Sequence, residues 1–250
     1  MRLVLFCLTL AVTSAQAAEF EGIISGKPTG DTARTESMKM YVSSTGVRME
    51  VAGMAEKSAA GPISMTMLWQ ASDPNNFYLL NMANKSYLKH DLVKAQQAAS
   101  AAAPPKVEKV GTGTFLGRNV QKVKVTYAGG KTQEVWVDTS LRFPASALAL
   151  FGQQRRGQNS PWKAMEQAGV AGIPLKDVDA NGKDGWEATS IEKKSLPASL
   201  FQVPAGFHEA KNALEMLPPE QQAAMKARMD ALTPEQRARM EEALKKAAGQ

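Results

Sequence analysis

The 250-residue chain has few of the residues that carry most protein chemistry. It contains one cysteine, Cys7, and two histidines, His90 and His208. A single thiol permits no disulfide within the chain, and two distant histidines without neighbouring ligands do not indicate a metal site. The G-x-S-x-G motif of many serine hydrolases is also absent. We therefore predict that the protein is not an enzyme and needs neither a cofactor nor a metal ion.

Long apolar runs are missing after the first residues. Arg2, the apolar run Leu3–Val12 and an A-x-A pattern at 15–17 match a secretory signal peptide in charge, length and cleavage site. We therefore predict that residues 1–17 are removed on export and that the mature protein is periplasmic. No later run reaches the roughly 18 apolar residues that a transmembrane helix needs, so none is expected.

Charge is mildly positive and evenly spread. The formal net charge is +6, from 30 basic and 24 acidic residues. The two signs are interleaved and form no basic stripe, so nucleic acid is not an expected partner. Without disulfides the mature chain depends on its hydrophobic core, and a chain of this length can bury one.

Alternation of polar and apolar residues predicts short β-strands over much of the chain. Segments 38–42, 47–51 and 63–69 each place Met, Val, Ile or Trp at every second position. The polar turns between them favour antiparallel hairpins. Further strand signals lie at 120–127, 132–138, 186–196 and 200–207.

The hairpin FYLLNMANKSYLKHDL, residues 77–92, departs from simple alternation. Its first arm, Phe77 to Leu80, is apolar on both faces. A strand with one face in contact with water alternates polar and apolar residues. Something must therefore cover the second face of this arm. An ordinary core, a partner or an apolar ligand would each satisfy this requirement.

The pattern becomes helical between residues 144 and 170. Two segments there begin with proline at a plausible first helical position, and a basic loop with Arg155 and Arg156 separates them. This loop is either simply solvated or able to meet an anionic head group, because guanidinium groups match carboxylates and phosphates.

A helical tail is predicted at the C-terminus. Segments 217–231 and 232–246 repeat each other, and Thr233 and Gln236 form the pattern of a capping box. The sequence LTPEQ at 232–236 resembles the repeated motif of the small periplasmic chaperones of the Spy and CpxP type.

Three other segments carry weaker signals. Residues 94–106 are Ala-rich and end in two prolines, which is typical of a linker or a short frayed helix. The glycines of 111–117 have the wrong spacing for a dinucleotide loop and indicate a bend or bulge. Residues 177–187 carry part of a calcium-loop pattern, but Ala188 stands where the bidentate glutamate belongs. A polar hairpin turn is the favoured interpretation of 177–187, with weak calcium binding as the alternative.

Three ordered blocks resemble a known bacterial family. They are GVRMEV at 46–51, FYLLNMANKSYLKHD at 77–91, and GGKTQEVWVD at 129–138 paired with SLFQVPAGF at 199–207. Together they resemble the family called domain of unknown function 4412, over residues 19–207. That family is similar in architecture to the outer-membrane lipoprotein carriers LolA and LolB.

The resemblance implies a mainly β fold with some α-helix. An antiparallel curved sheet, or open half-barrel, would carry a helical lid at 144–170 over an apolar concave face that receives acyl chains. We expect a signal peptide at 1–17, the β-domain at 18–208 and the helical tail at 209–250.

We therefore expect a periplasmic protein that binds a hydrophobic small molecule or a lipoprotein acyl chain. Methionines are frequent in the predicted strands, and their flexible thioethers suit a pocket with variable contents, although they also suit a loosely packed core. The alternative is an envelope-stress protein-interaction module that uses the methionines of its tail. The residues expected to contact the ligand are Met38, Met40, Met65, Met67, Trp69, Tyr78, Leu80, Trp136, Arg155 and Arg156.

Overall fold

The computed structural model shows a mainly β protein with few helices, which confirms the predicted fold class. It describes residues 18–30, 37–54, 63–92, 103–148, 160–182, 185–217 and 219–247. The predicted signal peptide, most of the Ala-rich segment and the loop with Arg155 and Arg156 lie outside these ranges.

Fourteen strands lie within the described ranges. The first seven are β1 (Ala18–Glu19), β2 (Gly22–Thr29), β3 (Ser37–Ser43), β4 (Gly46–Met54), β5 (Ile63–Gln70), β6 (Asn76–Asn81) and β7 (Ser86–Asp91). The others are β8 (Lys106–Phe115), β9 (Arg118–Thr126), β10 (Thr132–Asp138), β11 (Leu141–Arg142), β12 (Ile173–Asp179), β13 (Gly185–Lys193) and β14 (His208–Glu209). The α-helices are α1 (Pro161–Gln167), α2 (Pro219–Asp230) and α3 (Pro234–Ala247).

Twelve of these strands form one open sheet. Their order is β14-β7-β6-β5-β4-β3-β2-β13-β12-β10-β9-β8, with β14 and β8 at the two edges. All pairs are antiparallel except β14 with β7, which is parallel. Strands β1 and β11 form a separate parallel pair. Because most connections are short hairpins, the chain builds the sheet largely from sequential neighbours.

One face of the sheet, which we call the inner face, carries a continuous apolar row. The row crosses seven neighbouring strands, because each of its residues is the register partner of the next. Its members are Ile191, Ile24, Met40, Met49, Met67, Leu79 and Leu88. The alternation in segments 38–42, 47–51 and 63–69 therefore predicted the correct faces.

The main core lies against the inner face. Phe20, Ile24, Val42 and Val47 are fully buried there, and the chain at 141–147 supplies further side chains to the same cluster. Residues 145–148 form one helical turn in this segment. The described parts of the chain between β11 and β12, residues 143–148 and 160–172, therefore cover part of the inner face.

The hairpin of β6 and β7 is covered on both faces by the protein itself. On the opposite, outer face, Tyr78 and Leu80 pack with Leu68 and with Phe201 of the 3₁₀ segment Ala198–Phe201. On the inner face, Phe77 stacks on Trp69 with ring centroids 5.8 Å apart. An ordinary core thus accounts for the two-sided apolar arm.

The edge strand β8 was not predicted. Nearly all of its side chains are exposed or half-buried, so no apolar face marks it in the sequence. Its register shifts between Lys109 and Gly111, which confirms the bulge predicted for the glycines of 111–117. Bulged and lysine-bearing edge strands resist pairing with other chains.

The tail has the predicted capping box at the start of α3. The Gln236 amide nitrogen of the backbone donates to Thr233 Oγ1 at 3.3 Å, and the Thr233 backbone N–H donates to Gln236 Oε1 at 3.1 Å. The Arg237 guanidinium also donates to the carbonyls of Met229 and Asp230 at the end of α2. These bonds satisfy helix-end groups and fix the turn between α2 and α3.

The tail is joined to the sheet by residues 208–217, which we call the strap. The strap begins with β14 on the edge of β7 and buries Ala210 against Leu88. The Asn84 side-chain amide donates to the carbonyls of Glu215 and Leu217, at 2.9 and 3.0 Å. The strap therefore packs like part of the β-domain, although most of it falls in the predicted tail.

Residue Asp138, at the end of β10, is 1% exposed and forms an ion pair with Arg118 at the start of β9. Ser140 donates to its Oδ1 through its hydroxyl at 2.6 Å and its backbone N–H at 2.9 Å. Burial alone would raise the pKa of the Asp138 carboxyl, but the bonds from Ser140 and Arg118 hold this pKa below its usual value.

We predict that deletion of residues 218–250 leaves the melting temperature almost unchanged, because no described side chain of α2 is buried. Deletion of 209–250 should still give a folded β-domain, but with a clearly lower melting temperature, because it uncovers Leu88 and the edge of β7. Differential scanning calorimetry of both truncations checks this. Equal melting temperatures for the two would contradict the role of the strap.

We predict that Asp138→Asn lowers the free energy of unfolding at pH 7 by about 1–3 kcal/mol, because buried charge-assisted hydrogen bonds are lost. The folded-state pKa lies below the unfolded value of about 4, so this stability is present above pH ~4 and is lost as pH falls through the folded-state pKa. Urea unfolding at several pH values should show the two proteins converging in acid. Glu108→Gln, at an exposed ion pair, is the control and should change little.

Candidate functional site

An apolar groove of about 380 Å³ lies between the inner face and α1. The sheet side of its lining comes from β3, β4, β10, β12 and β13, and the opposite side comes from α1 and Phe143. Its apolar and aromatic lining residues are Met38, Met40, Met49, Val135, Phe143, Pro161, Trp162, Met165, Pro174 and Trp186. Such a lining excludes water and favours an apolar occupant.

Helix α1 forms one wall of this groove. Pro161 stands at its first position, as predicted, and Ala164 and Met165 are buried. The helix ends where Gly169 adopts a positive φ of 67° and the Val170 N–H donates to the Met165 carbonyl at 2.8 Å. Trp162 packs edge-to-face on Phe143, with ring centroids 5.6 Å apart, and this contact holds the helix over the groove.

Trp186 of β13 forms part of the floor and depends on a glycine of β2, the neighbouring strand in the sheet. Its indole lies over Gly26 of β2, where an added Cβ would be only 2.3 Å from the ring. The Trp186 backbone N–H donates to Asp177 Oδ1 at 3.2 Å. A residue without a side chain at position 26 is therefore required for Trp186 to lie flat in the groove.

One end of the groove is polar. Tyr127 and Gln133 line it, and the Tyr127 hydroxyl donates to Gln133 Oε1 at 2.9 Å. Asp177 lines the same groove. The groove is thus amphipathic, with a long apolar part and a small hydrogen-bonding part, which is the arrangement expected for orienting a ligand.

The structure brings together some of the residues expected to bind a ligand. Met38 and Met40 line the groove directly. Met65 and Met67 lie on the same inner face, on the neighbouring strand β5, and are half-buried. Trp69 shares this face but is only 2% exposed and belongs to the core cluster.

Three other expected residues lie away from the groove. Tyr78 and Leu80 are buried beneath Phe201, as described above. Trp136 alternates with Val135 and Val137 of β10, so it lies on the opposite face of this strand from the groove, where it is half-buried against the main core cluster. Arg155 and Arg156 lie outside the described residues.

Trp136 has a distinct environment on its face of β10. Lys122 Nζ lies 3.9 Å from its ring centroid, and its indole N–H donates to Glu134 Oε1 at 2.6 Å. Phe115 packs against it edge-to-face. These contacts stabilise Trp136 in a half-buried cation–π cluster that does not line the groove.

Several groove residues were not expected from the sequence. Trp162 and Met165 stand three positions apart in a segment that was predicted to be helical, so they share one helix face, and this spacing could have identified them. Trp186 and Phe143 gave no such signal, because their positions depend on contacts with distant parts of the chain.

Strands β12 and β13 pair antiparallel, and residues 180–182 form a polar turn after β12, as the favoured hairpin interpretation expects. The Asp179 carboxylate accepts the Asn181 backbone N–H at 3.0 Å, and the Gly182 N–H donates to the Asp179 carbonyl. Within the described ranges, no group of three or more Asp, Glu, His or Cys residues could hold a metal ion. No helix of those ranges is long and apolar enough to cross a bilayer.

Comparison with known proteins gives one family match. The family described as Domain of unknown function (DUF4412) matches residues 20–207. No curated protein matches the chain.

Three solved structures show similarity at low identity. An uncharacterized conserved protein from Thermus thermophilus is 10% identical with a TM-score of 0.44, covering 76% of this chain and 90% of that one. A putative outer membrane lipoprotein-sorting protein domain from Vibrio parahaemolyticus is 10% identical with a TM-score of 0.28, covering 72% and 87%. A LolA superfamily protein from Nitrosomonas europaea is 8% identical with a TM-score of 0.26, covering 73% and 89%.

We predict that Gly26→Ala displaces the Trp186 indole, because the new Cβ would overlap the ring. The change in tryptophan fluorescence should be present in the wild-type background and absent in a Trp186→Phe background. Ser25→Ala is the matched control, because its side chain lies on the opposite face of β2 from Gly26. Identical spectra for Gly26→Ala and the wild type would contradict this packing.

Proposed function

The chain belongs to the DUF4412 family, a domain of unknown function, and we propose from its groove that it binds a hydrophobic ligand. The ligand class is a lipid or the acyl chain of a lipoprotein. The protein acts by binding and shielding this ligand, without bond chemistry.

The observation that supports this proposal most is the methionine and aromatic lining of the groove. Met38, Met40 and Met49 are half-buried on the sheet side, and Met165 faces them from α1. Unbranched thioethers adapt to ligands of different shape at little cost. Each methylene group that leaves water for such a groove contributes about 0.8 kcal/mol, so one acyl chain can offset the cost of ordering it.

The polar end of the groove gives the ligand a direction. The Tyr127–Gln133 pair offers hydrogen-bonding groups at the end where β9 turns into β10, and Asp177, opposite Val135, adds a carboxylate to an otherwise apolar lining. An apolar chain therefore binds more favourably along the methionines than at this end, where it would cover polar groups without forming hydrogen bonds.

We also propose that the protein works in the periplasm. This proposal is supported by the signal-peptide pattern of residues 1–17, with its early arginine, apolar run and A-x-A site. N-terminal sequencing of the protein from a periplasmic extract should find a start near Ala18, and recovery of Met1 from the cytosol would contradict export.

A second candidate function is protein interaction through the tail. It is supported by the exposure of α2, which has no buried residue among those described. Met225, Met229 and Met240 are half-buried, so they are partly available to another chain. Deletion of residues 218–250 distinguishes the two candidate functions, because it removes the tail helices and leaves the groove. Protein binding should then be lost and ligand binding kept.

We predict that fluorescent fatty-acid probes bind the mature protein with an affinity that rises with chain length, because more methylenes are shielded. Met40→Arg should reduce this affinity at least tenfold, because it places an unpaired charge in the groove. Met40 is half-buried, so the arginine can extend towards water and the fold should survive, as thermal melting will show.

Met82→Arg is the control for this experiment, since Met82 is 48% exposed and lies in the β6–β7 turn. It should bind the probes like the wild type. A wild type that binds no probe of any length would refute the proposed function, and the protein would then be a structural β-domain.

A further inference from the structure

A second cavity, of about 470 Å³, adjoins the groove. The two share Phe143, Trp162 and Met165 in their linings. Because the same three side chains border both cavities, they are separated by no more than the thickness of one layer of side chains. A ligand that spans both cavities would therefore have to pass beside these three side chains, of which Trp162 is only half-buried.

The second cavity differs from the groove in charge. Arg142 and Lys163 line it together with Glu166, and all three side chains are exposed. Among the described residues, no carboxylate lies within ion-pair distance of either cation. The described lining of the groove has one charged residue, Asp177, which is negative.

The two charge patterns favour opposite ends of an amphiphile. An anion is repelled by Asp177 in the groove and attracted by the guanidinium and ammonium groups of the second cavity. Arginine and lysine are also the side chains best suited to carboxylate and phosphate oxygens. The binding free energy of the apolar chain in the groove does not depend on its head group, so the head can lie outside the groove at no cost to this contribution.

We infer that the protein selects single-chain amphiphiles with an anionic carboxylate or phosphate head. Arg142 and Lys163 bind the head in the second cavity, and the chain passes the Trp162–Met165 edge into the groove. This inference rests on the proposed function, since it assigns the head group of the same ligand.

Four probes test this inference: dodecanoate, dodecyl phosphate, dodecanol and inorganic phosphate. The affinities of the first three are measured by competition against a fluorescent fatty acid, and that of inorganic phosphate by calorimetry. We expect dodecyl phosphate and dodecanoate to bind about tenfold more tightly than dodecanol at low ionic strength. This preference should fall at high salt, because exposed charges are screened. Inorganic phosphate should bind at least a hundredfold more weakly than dodecyl phosphate, because it lacks the chain.

Charge-neutralising variants locate the effect. Lys163→Gln and Arg142→Gln should each reduce the preference for dodecyl phosphate over dodecanol about threefold, and Glu166→Gln should increase it. Lys226→Gln, on the exposed face of α2, is the matched control and should leave it unchanged. Affinity for dodecanol should be the same in all four variants, and their melting temperatures should match the wild type because all four side chains are exposed.

The outcomes separate this inference from the function on which it rests. Equal affinity for dodecanol and the anionic probes, or a preference that the Arg142 and Lys163 variants leave unchanged, would overturn the head-group assignment and leave chain binding intact. Inorganic phosphate bound as tightly as dodecyl phosphate would also overturn it, since the cavity would then be a site for free anions. Failure of all three amphiphiles to bind would refute both.

Discussion

Seven neighbouring strands each place one apolar side chain in a single row across the inner face, from Ile191 to Leu88. A slip of one residue in any of these strands would turn its apolar side chains to the outer face. The register of these seven strands and the methionine side of the groove depend on this row, whereas α1 packs on Val123, Val125, Val135 and Val137 of β9 and β10. Methionine occupies its three central strands, β3 to β5, so the middle of the row is also its most adaptable part.

The two faces of the sheet use different means to exclude water. The outer face of β5 and β6 is closed by large side chains of the 3₁₀ segment, with Phe201 only 2% exposed. The inner face under α1 is lined by half-buried methionines and by Trp162, and these side chains border the groove without filling it. Close packing on one side thus supports an unfilled groove on the other.

Local patterns in the sequence were sufficient to predict the strands of the inner face and the start of α3. In both places the signal lies within a few residues: alternation for Met38 and Met40, and the Thr233–Gln236 pair for the helix. The assignment of Trp136 to the ligand needed information that alternation does not contain. Alternation separates Trp136 from Val135 but cannot say which of these two faces the ligand, and lysines on the neighbouring strands make a tryptophan stable on the face away from the groove.

The same limit applies to the hairpin of β6 and β7 and to the floor of the groove. Tyr78 and Leu80 are apolar residues whose cover, Phe201, comes from a distant part of the sequence. Trp186 lies in the groove because Gly26, at the other end of the chain, leaves room for its ring. Such contacts between distant residues are decided by tertiary packing. Edge strand β8 was not predicted because nearly all of its side chains are exposed or half-buried, so its sequence has no alternation of polar and apolar residues.

The strap also bears on how copies of this protein can associate. An open sheet with two free edges can in principle add further chains at both ends, which leads to an unlimited fibre. Here the strap pairs with Ser86 and Tyr87 of β7 and so covers the first part of one edge with the protein's own chain. The other edge, β8, is bulged and carries lysines, which disfavours pairing there as well. Both edges thus carry a feature that works against unlimited edge-to-edge growth.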